Sequence, residues 1–176
     1  GGEATVIAWL WARTVRSPDP RFADVYVPLV NSWNLATKPG RAVWVEPEIN
    51  GDLYEFRIRT GVAPAWAASG TKTGQGVFRC LLSGDAIRGE YVSNEASHGR
   101  MRVKLMAIVV EGKRGRVYLP PDQASEELAR TAENAVQTDM LLDQPCRGTF
   151  AGNAQGRRYG FSAFRDYYSP RQLLLL

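Results

Sequence analysis

An Asn-Gly pair, Asn50-Gly51, sits between two apolar-rich stretches, Ala42 to Ile49 and Leu53 to Thr60. Asn and Gly both tolerate the positive φ that a type I′ turn demands, which makes this the strongest short signal for a tight hairpin. In the second arm Tyr54, Phe56 and Ile58 alternate with Leu53, Glu55, Arg57 and Arg59. A period of two belongs to a strand with one face buried, so the first three should face a core. Antiparallel β structure is therefore required at the centre of the chain. The spacing of Gly (17) and Pro (10) over 176 residues favours frequent turns and few long helices elsewhere.

Other segments follow the same logic. Thr5 to Val15 is rich in β-branched and aromatic residues and reads as a buried strand, and Val25 to Val30 reads as its return after the Ser17-Pro18-Asp19-Pro20 turn. Lys38-Pro39-Gly40 marks another turn. Gly61 to Gly76 is rich in small residues and reads as a mobile loop pinned by Trp66. Val77 to Leu82 and Ala86 to Val92 form an expected hairpin around Ser83-Gly84-Asp85, and Arg102 to Glu111 and Arg116 to Leu119 another around Gly112 to Gly115. Gln123 to Val136 is the one complete helix expected, with Ala124, Leu128, Ala132 and Ala135 at helical spacing and Glu126 and Glu127 near its start. Ser169-Pro170-Arg171-Gln172 opens a second helix, followed by four leucines. One turn with no partner surface is unstable. We therefore read the sequence as a piece of a larger protein.

Composition narrows the class. No apolar run approaches the ~20 residues of a membrane span. Two cysteines, Cys80 and Cys146, are too few for a disulfide framework, and the expected setting is cytoplasmic. A net charge of +4 favours an anionic partner, nucleic acid above all.

The clearest chemical pattern is basic. Arg100, Arg102 and Lys104 alternate with Met101, Val103 and Leu105, which places the cations on one strand face and the apolar residues toward the core. The following turn adds Lys113, Arg114 and Arg116, so one hairpin surface is expected to carry six cations for DNA phosphates. The same pattern fits an ordinary solvated face that guards an edge strand. A second group, Arg147, Arg157, Arg158 and Arg165, is mixed with Tyr159, Phe161, Phe164, Tyr167 and Tyr168. It suits stacking on nucleic-acid bases, or simple core anchoring. Catalytic patterns are weak. His98 is the sole histidine, no Gly-x-Ser-x-Gly elbow or P-loop occurs, and Gly152 to Gly156 lacks the strand–loop–helix setting of a cofactor site.

Several stretches carry a resemblance. They are Ala8-Trp9-Leu10-Trp11-Ala12-Arg13-Thr14-Val15, Leu105-Met106-Ala107-Ile108-Val109, Glu111 through Pro121, and Tyr159 through Leu174. The chain resembles, over nearly its whole length, an internal region of the large adenine-specific DNA methylases described as containing a zinc ribbon, some of which accompany anti-phage defence systems. The resemblance implies a parent enzyme that uses S-adenosylmethionine to methylate the adenine amino group. It departs from that family at two points. The knuckle after Val15 reads Ser17-Pro18-Asp19-Pro20-Arg21-Phe22 without cysteine, and the second ligand pair falls at Cys80 and Ser83. The resemblance thus implies a zinc-ribbon-like fold whose metal is lost, with vestigial positions Ser17, Cys80 and Ser83, and with Phe22 among the residues expected to hold the knuckle instead. The sole Pro-Pro, in Leu119-Pro120-Pro121-Asp122, lacks the flanking residues of the amine-gripping methylase motif.

The expectation is a mainly β (α+β) fold, a hairpin-rich twisted sheet or open barrel with a degenerate knuckle, one packed helix and a C-terminal helix stub. Residues 1–122 would form the zinc-ribbon-like part and 123–176 the helix and basic–aromatic part. The expected function is non-catalytic DNA contact within a methylase. Its partners would be DNA and the rest of the parent, with no membrane and no cofactor of its own. The alternative is a docking or scaffold domain anchored by Trp66, Tyr167 and Tyr168.

Overall fold

In the computed structural model, which describes residues 5–113, 115–135, 142–146, 156, 161–168 and 170–173, the chain is mainly β and hairpin-rich, with helices alongside. It divides into two compact units, Gly1–Ile87 with Arg102–Pro121, and Arg88–Met101 with Asp122–Leu176.

The first unit holds the strands β1 (Val6–Arg16), β2 (Tyr26–Leu29), β3 (Asn34–Ala36), β4 (Ala42–Asn50), β5 (Leu53–Gly61), β6 (Lys72–Gly74), β7 (Val77–Arg79), β8 (Ala86–Ile87), β9 (Arg102–Gly112) and β10 (Gly115–Leu119). They form three antiparallel sheets, ordered β10-β9-β1-β2, β3-β4-β5 and β6-β7-β8. Ala12 of the first sheet joins Trp44, Val45, Tyr54 and Phe56 of the second in one core cluster, with Val30, Trp33 and Ala67 from the connections. Trp33 and Phe56 meet at a ring-centroid distance of 5.9 Å. Fully burying a side chain of this size contributes about 1.5–3 kcal/mol, so these few residues hold the sheets together. On its opposite face the first sheet gathers Leu105, Ile108 and Val110 with Trp9 and Trp11.

The β4–β5 hairpin forms with Tyr54, Phe56 and Ile58 inward, as their alternation requires. Its turn is one residue later than the Asn-Gly signal. Asn50 pairs with Leu53, which leaves Gly51-Asp52 as the central pair, with Gly51 at φ +65°. Glycine supplies the positive φ, and Asn50 remains in the ladder.

Three expectations are corrected in this region. The segment Gly61 to Gly76 contains a 3-10 turn at Ala65–Ala68 and the strand β6. Its anchor is Thr71 instead of the exposed Trp66. The Thr71 hydroxyl donates to the Pro28 carbonyl at 2.9 Å and accepts from the Val30 N–H at 2.9 Å. Gly70 beside it runs so close that a Cβ would stand 2.3 Å from the Val30 oxygen. Finally, the expected strand Ala86 to Val92 stops at Ile87.

In the second unit the chain turns helical at Gly89–Ser97 (α1). His98 is the C-cap and Gly99 follows at φ +66°. The Arg100 N–H bonds the Glu95 carbonyl at 2.8 Å and the Gly99 N–H bonds the Ala96 carbonyl at 2.9 Å, a Schellman closure that satisfies the helix end. The expected long helix is α2 (Gln123–Ala135), whose first turn is capped by Asp122 accepting from the Ser125 N–H at 2.8 Å. A short turn, α3 (Pro170–Leu173), lies in the stub. Cys146 is fully buried, its N–H bonded to the Ser162 carbonyl.

Candidate nucleic-acid interface

Register decides which cations meet. β1 pairs Thr14 with Arg102 and Ala12 with Lys104 on one side, and Arg16 with Tyr26 and Thr14 with Pro28 on the other. Residues paired across antiparallel strands share a face, as do alternate residues of one strand. Arg16, Arg102, Lys104 and Tyr26 therefore project from the same face, around Thr14. Arg16 is diagonal to Arg102, roughly 7–8 Å away in backbone terms. Arg102 and Lys104 stand about 6.7 Å apart along their strand.

Two tyrosines order this group. The Lys104 Nζ lies 5.2 Å from the centre of the Tyr54 ring, brought over from β5. The Tyr54 hydroxyl donates to the Tyr26 carbonyl at 2.8 Å. The Arg16 guanidinium lies 5.8 Å from the Tyr26 ring centre, and its Nε donates to the Tyr26 hydroxyl at 3.4 Å. Each cation–ring contact is worth about 0.5–1 kcal/mol near the surface and fixes the side chain without cancelling its charge. Arg16 and Arg102 are exposed and Lys104 is half-buried. Among the described residues neither Arg102 nor Lys104 has an ion-pair partner. Thr14 beneath them is 1% exposed, and its hydroxyl has no hydrogen-bond partner among the described residues.

Of the six cations expected on one hairpin surface, Arg102 and Lys104 lie apart from Lys113 and Arg116. Arg100 precedes β9, and its Nη2 binds the buried Glu95 carboxylate at 2.7 Å. Arg102 and Lys104 occupy the start of β9, whereas Lys113 and Arg116 lie at the far end, roughly 30 Å along the strand. There Arg116 sits opposite Glu111. The inward and outward assignment is also corrected. Val103 is 47% exposed, whereas Lys104 lies against Tyr54. Arg114, Arg157, Arg158 and Arg147 lie outside the described residues. Arg165 of the aromatic segment is ion-paired with Asp143. Pattern marks Tyr54 only as a core residue and does not mark Arg16 or Tyr26, because pairing between strands alone brings them to Arg102 and Lys104.

One other group of cations in this unit is neutralised. On the outer face of β4–β5, Arg57 binds Glu48 and Glu55 at 3.1 and 3.0 Å, and Arg59 binds Glu48 at 2.7 Å and also Glu46.

The vestigial knuckle positions do converge. The Ser17 hydroxyl lies 3.4 Å from the Cys80 sulfur, and the Ser83 N–H points to the same sulfur at 3.5 Å. Burial pushes the Cys80 thiol up, but hydrogen bonds from the Ser17 and Ser83 hydroxyls and from the Ser83 and Leu82 N–H groups outweigh it and hold the thiol below its ordinary value. One thiol and two hydroxyls do not fit structural zinc, which takes four Cys or His ligands. Among the described residues no three His, Cys, Asp or Glu side chains gather to hold a metal. Phe22, expected to secure the knuckle, is only partly buried, with the Arg21 guanidinium 5.5 Å from its ring centre.

Comparison with protein-family models, with curated proteins and with solved structures finds no match to this chain. Among the described residues no helix is long and apolar enough to cross a membrane.

Proposed function

We propose that this chain is a DNA-contacting region of an adenine-specific DNA methylase of the zinc-ribbon type, cytoplasmic and non-catalytic in itself. One observation carries the reading: Arg16, Arg102 and Lys104 share one face, and the latter two have no ion-pair partner among the described residues. Such a group offers charge to successive phosphates and positions a duplex without reading its sequence. Methylation of adenine requires the base to leave the helix, and a neighbouring module that grips the backbone helps hold the strand meanwhile. S-adenosylmethionine and the amine-gripping motif belong to the parent in this reading. The convergence of Ser17, Cys80 and Ser83 supports the resemblance, because the family's two ligand pairs would have to approach each other there.

The test is fluorescence anisotropy with labelled duplex DNA over a salt series. The protein should bind at low salt. Arg102→Ala with Lys104→Ala should weaken binding to every sequence alike and reduce the salt slope by roughly two. Unchanged affinity in that variant overturns the reading.

A docking role is the second reading. The exposed Trp66, 45% accessible, and Val62, 90% accessible, stand on the β5–β6 connection and would serve as apolar anchors for a protein partner. Capture of a parent methylase segment that Trp66→Ala abolishes, without any DNA binding, would favour it.

A further inference from the structure

We infer that Cys80 is the pivot of a metal-free clasp, in which two serine turns are joined through one thiol. This inference is independent of the DNA reading. The two turns match in sequence, Ser17-Pro18-Asp19 and Ser83-Gly84-Asp85. They match in bonding as well. The Ser17 hydroxyl accepts from the Asp19 N–H at 3.2 Å, and the Ser83 hydroxyl accepts from the Asp85 N–H at 3.3 Å. A hydroxyl that accepts from its own turn keeps its proton for another acceptor; the Ser17 hydroxyl meets the Cys80 sulfur at 3.4 Å, and the second turn reaches the same sulfur through the Ser83 N–H at 3.5 Å. Cys80 is 1% exposed and Ser17 4%, so the contact is screened from water. It joins segments 63 residues apart. Arg21 completes the closure. It binds the Asp19 carboxylate through two nitrogens, at 3.1 and 2.6 Å, and Asp85 adds to the same field. Backbone bonds from Ser17 N–H to the Val25 carbonyl and from Cys80 N–H to the Asp85 carbonyl hold each half in place.

A clasp and a plain buried cysteine respond oppositely to substitution. Cys80→Ser keeps a hydrogen-bonding atom at the centre, whereas Cys80→Val fills the space and strands the Ser17 hydroxyl and the Ser83 N–H. Thermal unfolding should rank wild type above Cys80→Ser, and Cys80→Ser above Cys80→Val. A Cys80→Val protein as stable as Cys80→Ser or more so would overturn the inference. The second measurement does not depend on those variants folding. Wild-type protein, purified under reducing conditions, should carry no stoichiometric zinc by metal analysis and keep its melting temperature in chelator. The double substitution Ser17→Cys with Ser83→Cys should take up one Cd2+ per chain, seen as thiolate-to-metal charge-transfer absorption. Stoichiometric zinc in the wild type, or a double variant that is folded by circular dichroism yet leaves Cd2+ unbound, would refute the clasp.

Discussion

Two basic groups of the same unit have opposite fates. On the outer face of β4–β5, Arg57 and Arg59 stand among Glu46, Glu48 and Glu55, and each is paired with two carboxylates. On the β1–β9 face, Arg16 and Lys104 lie against tyrosine rings, and Arg102 and Lys104 have no ion-pair partner among the described residues. Carboxylates order a cation by cancelling it; aromatic faces and a tyrosine hydroxyl order it and leave the charge to act on something else. Sequence composition counts both groups equally. Of the two, only the second includes cations, Arg102 and Lys104, without an ion-pair partner among the described residues.

The comparison breaks most visibly if the first group is made to resemble the second. Replacing Glu46, Glu48 and Glu55 by Gln should free Arg57 and Arg59 and steepen the salt dependence of DNA binding by up to about two. A flat response in anisotropy would show that placement on the β1–β9 face matters beyond charge. A smaller effect is expected from Tyr54→Phe, which removes the hydroxyl bond to the Tyr26 carbonyl and keeps the ring under Lys104. Denaturant unfolding should register a loss of about 1 kcal/mol, while DNA affinity stays within twofold. Smaller again, Arg57→Ala or Arg59→Ala should change stability by only about 0.2–1 kcal/mol and leave DNA binding unaltered, since exposed ion pairs contribute little.

The last test concerns pH. The Arg21 side chain and N–H hold the Asp19 carboxyl below its ordinary range. A depressed folded value means that this pair's stabilisation is complete above the unfolded carboxylate pKa. It is lost as the pH falls through the folded value. Asp19→Asn should remove that part of the acid-side loss, so the melting temperature of the variant should fall less steeply below about pH 4 than that of the wild type.

Much of the fold was legible because one-sided burial writes itself as alternation. Tyr54, Phe56 and Ile58 are the plain case. The reading failed where that condition fails. Leu105 through Val110 of β9 is buried or half-buried at every position, with apolar clusters on both sheet faces, so no alternation marks an inner side. The strand also carries a register shift, with Trp11 paired to Leu105 and Leu10 to Ala107. That shift lies beyond Leu105; before it, Val103 shares a face with the buried Leu105 yet stands exposed near the strand end, while Lys104 lies against Tyr54 on the other face, so neither side of this stretch is simply inner or outer. At α1, Tyr91 and Val92 follow Ala86-Ile87 after only Arg88-Gly89-Glu90 and imitate the continuation of a strand. The overlooked signal was Gly99 at the position just past a helix end, where positive φ is required. The candidate interface was half legible. Arg102 and Lys104 stand out by pattern, but Arg16, Tyr26 and Tyr54 join them only through pairing across strands far apart in sequence. The knuckle positions were legible from the resemblance, whereas the bonds between them required coordinates.

The Thr71 hydroxyl has one further effect, on solubility. β2 is an outer strand of its sheet, and its end presents the Pro28 carbonyl and the Val30 N–H and carbonyl. All three are occupied from within, by the Thr71 hydroxyl and by the Thr71 and Lys72 N–H groups. Pro28 itself has no N–H to offer. An incoming chain in search of a ladder to extend finds that border already sealed, so the protein should resist templated fibril growth there even at high concentration.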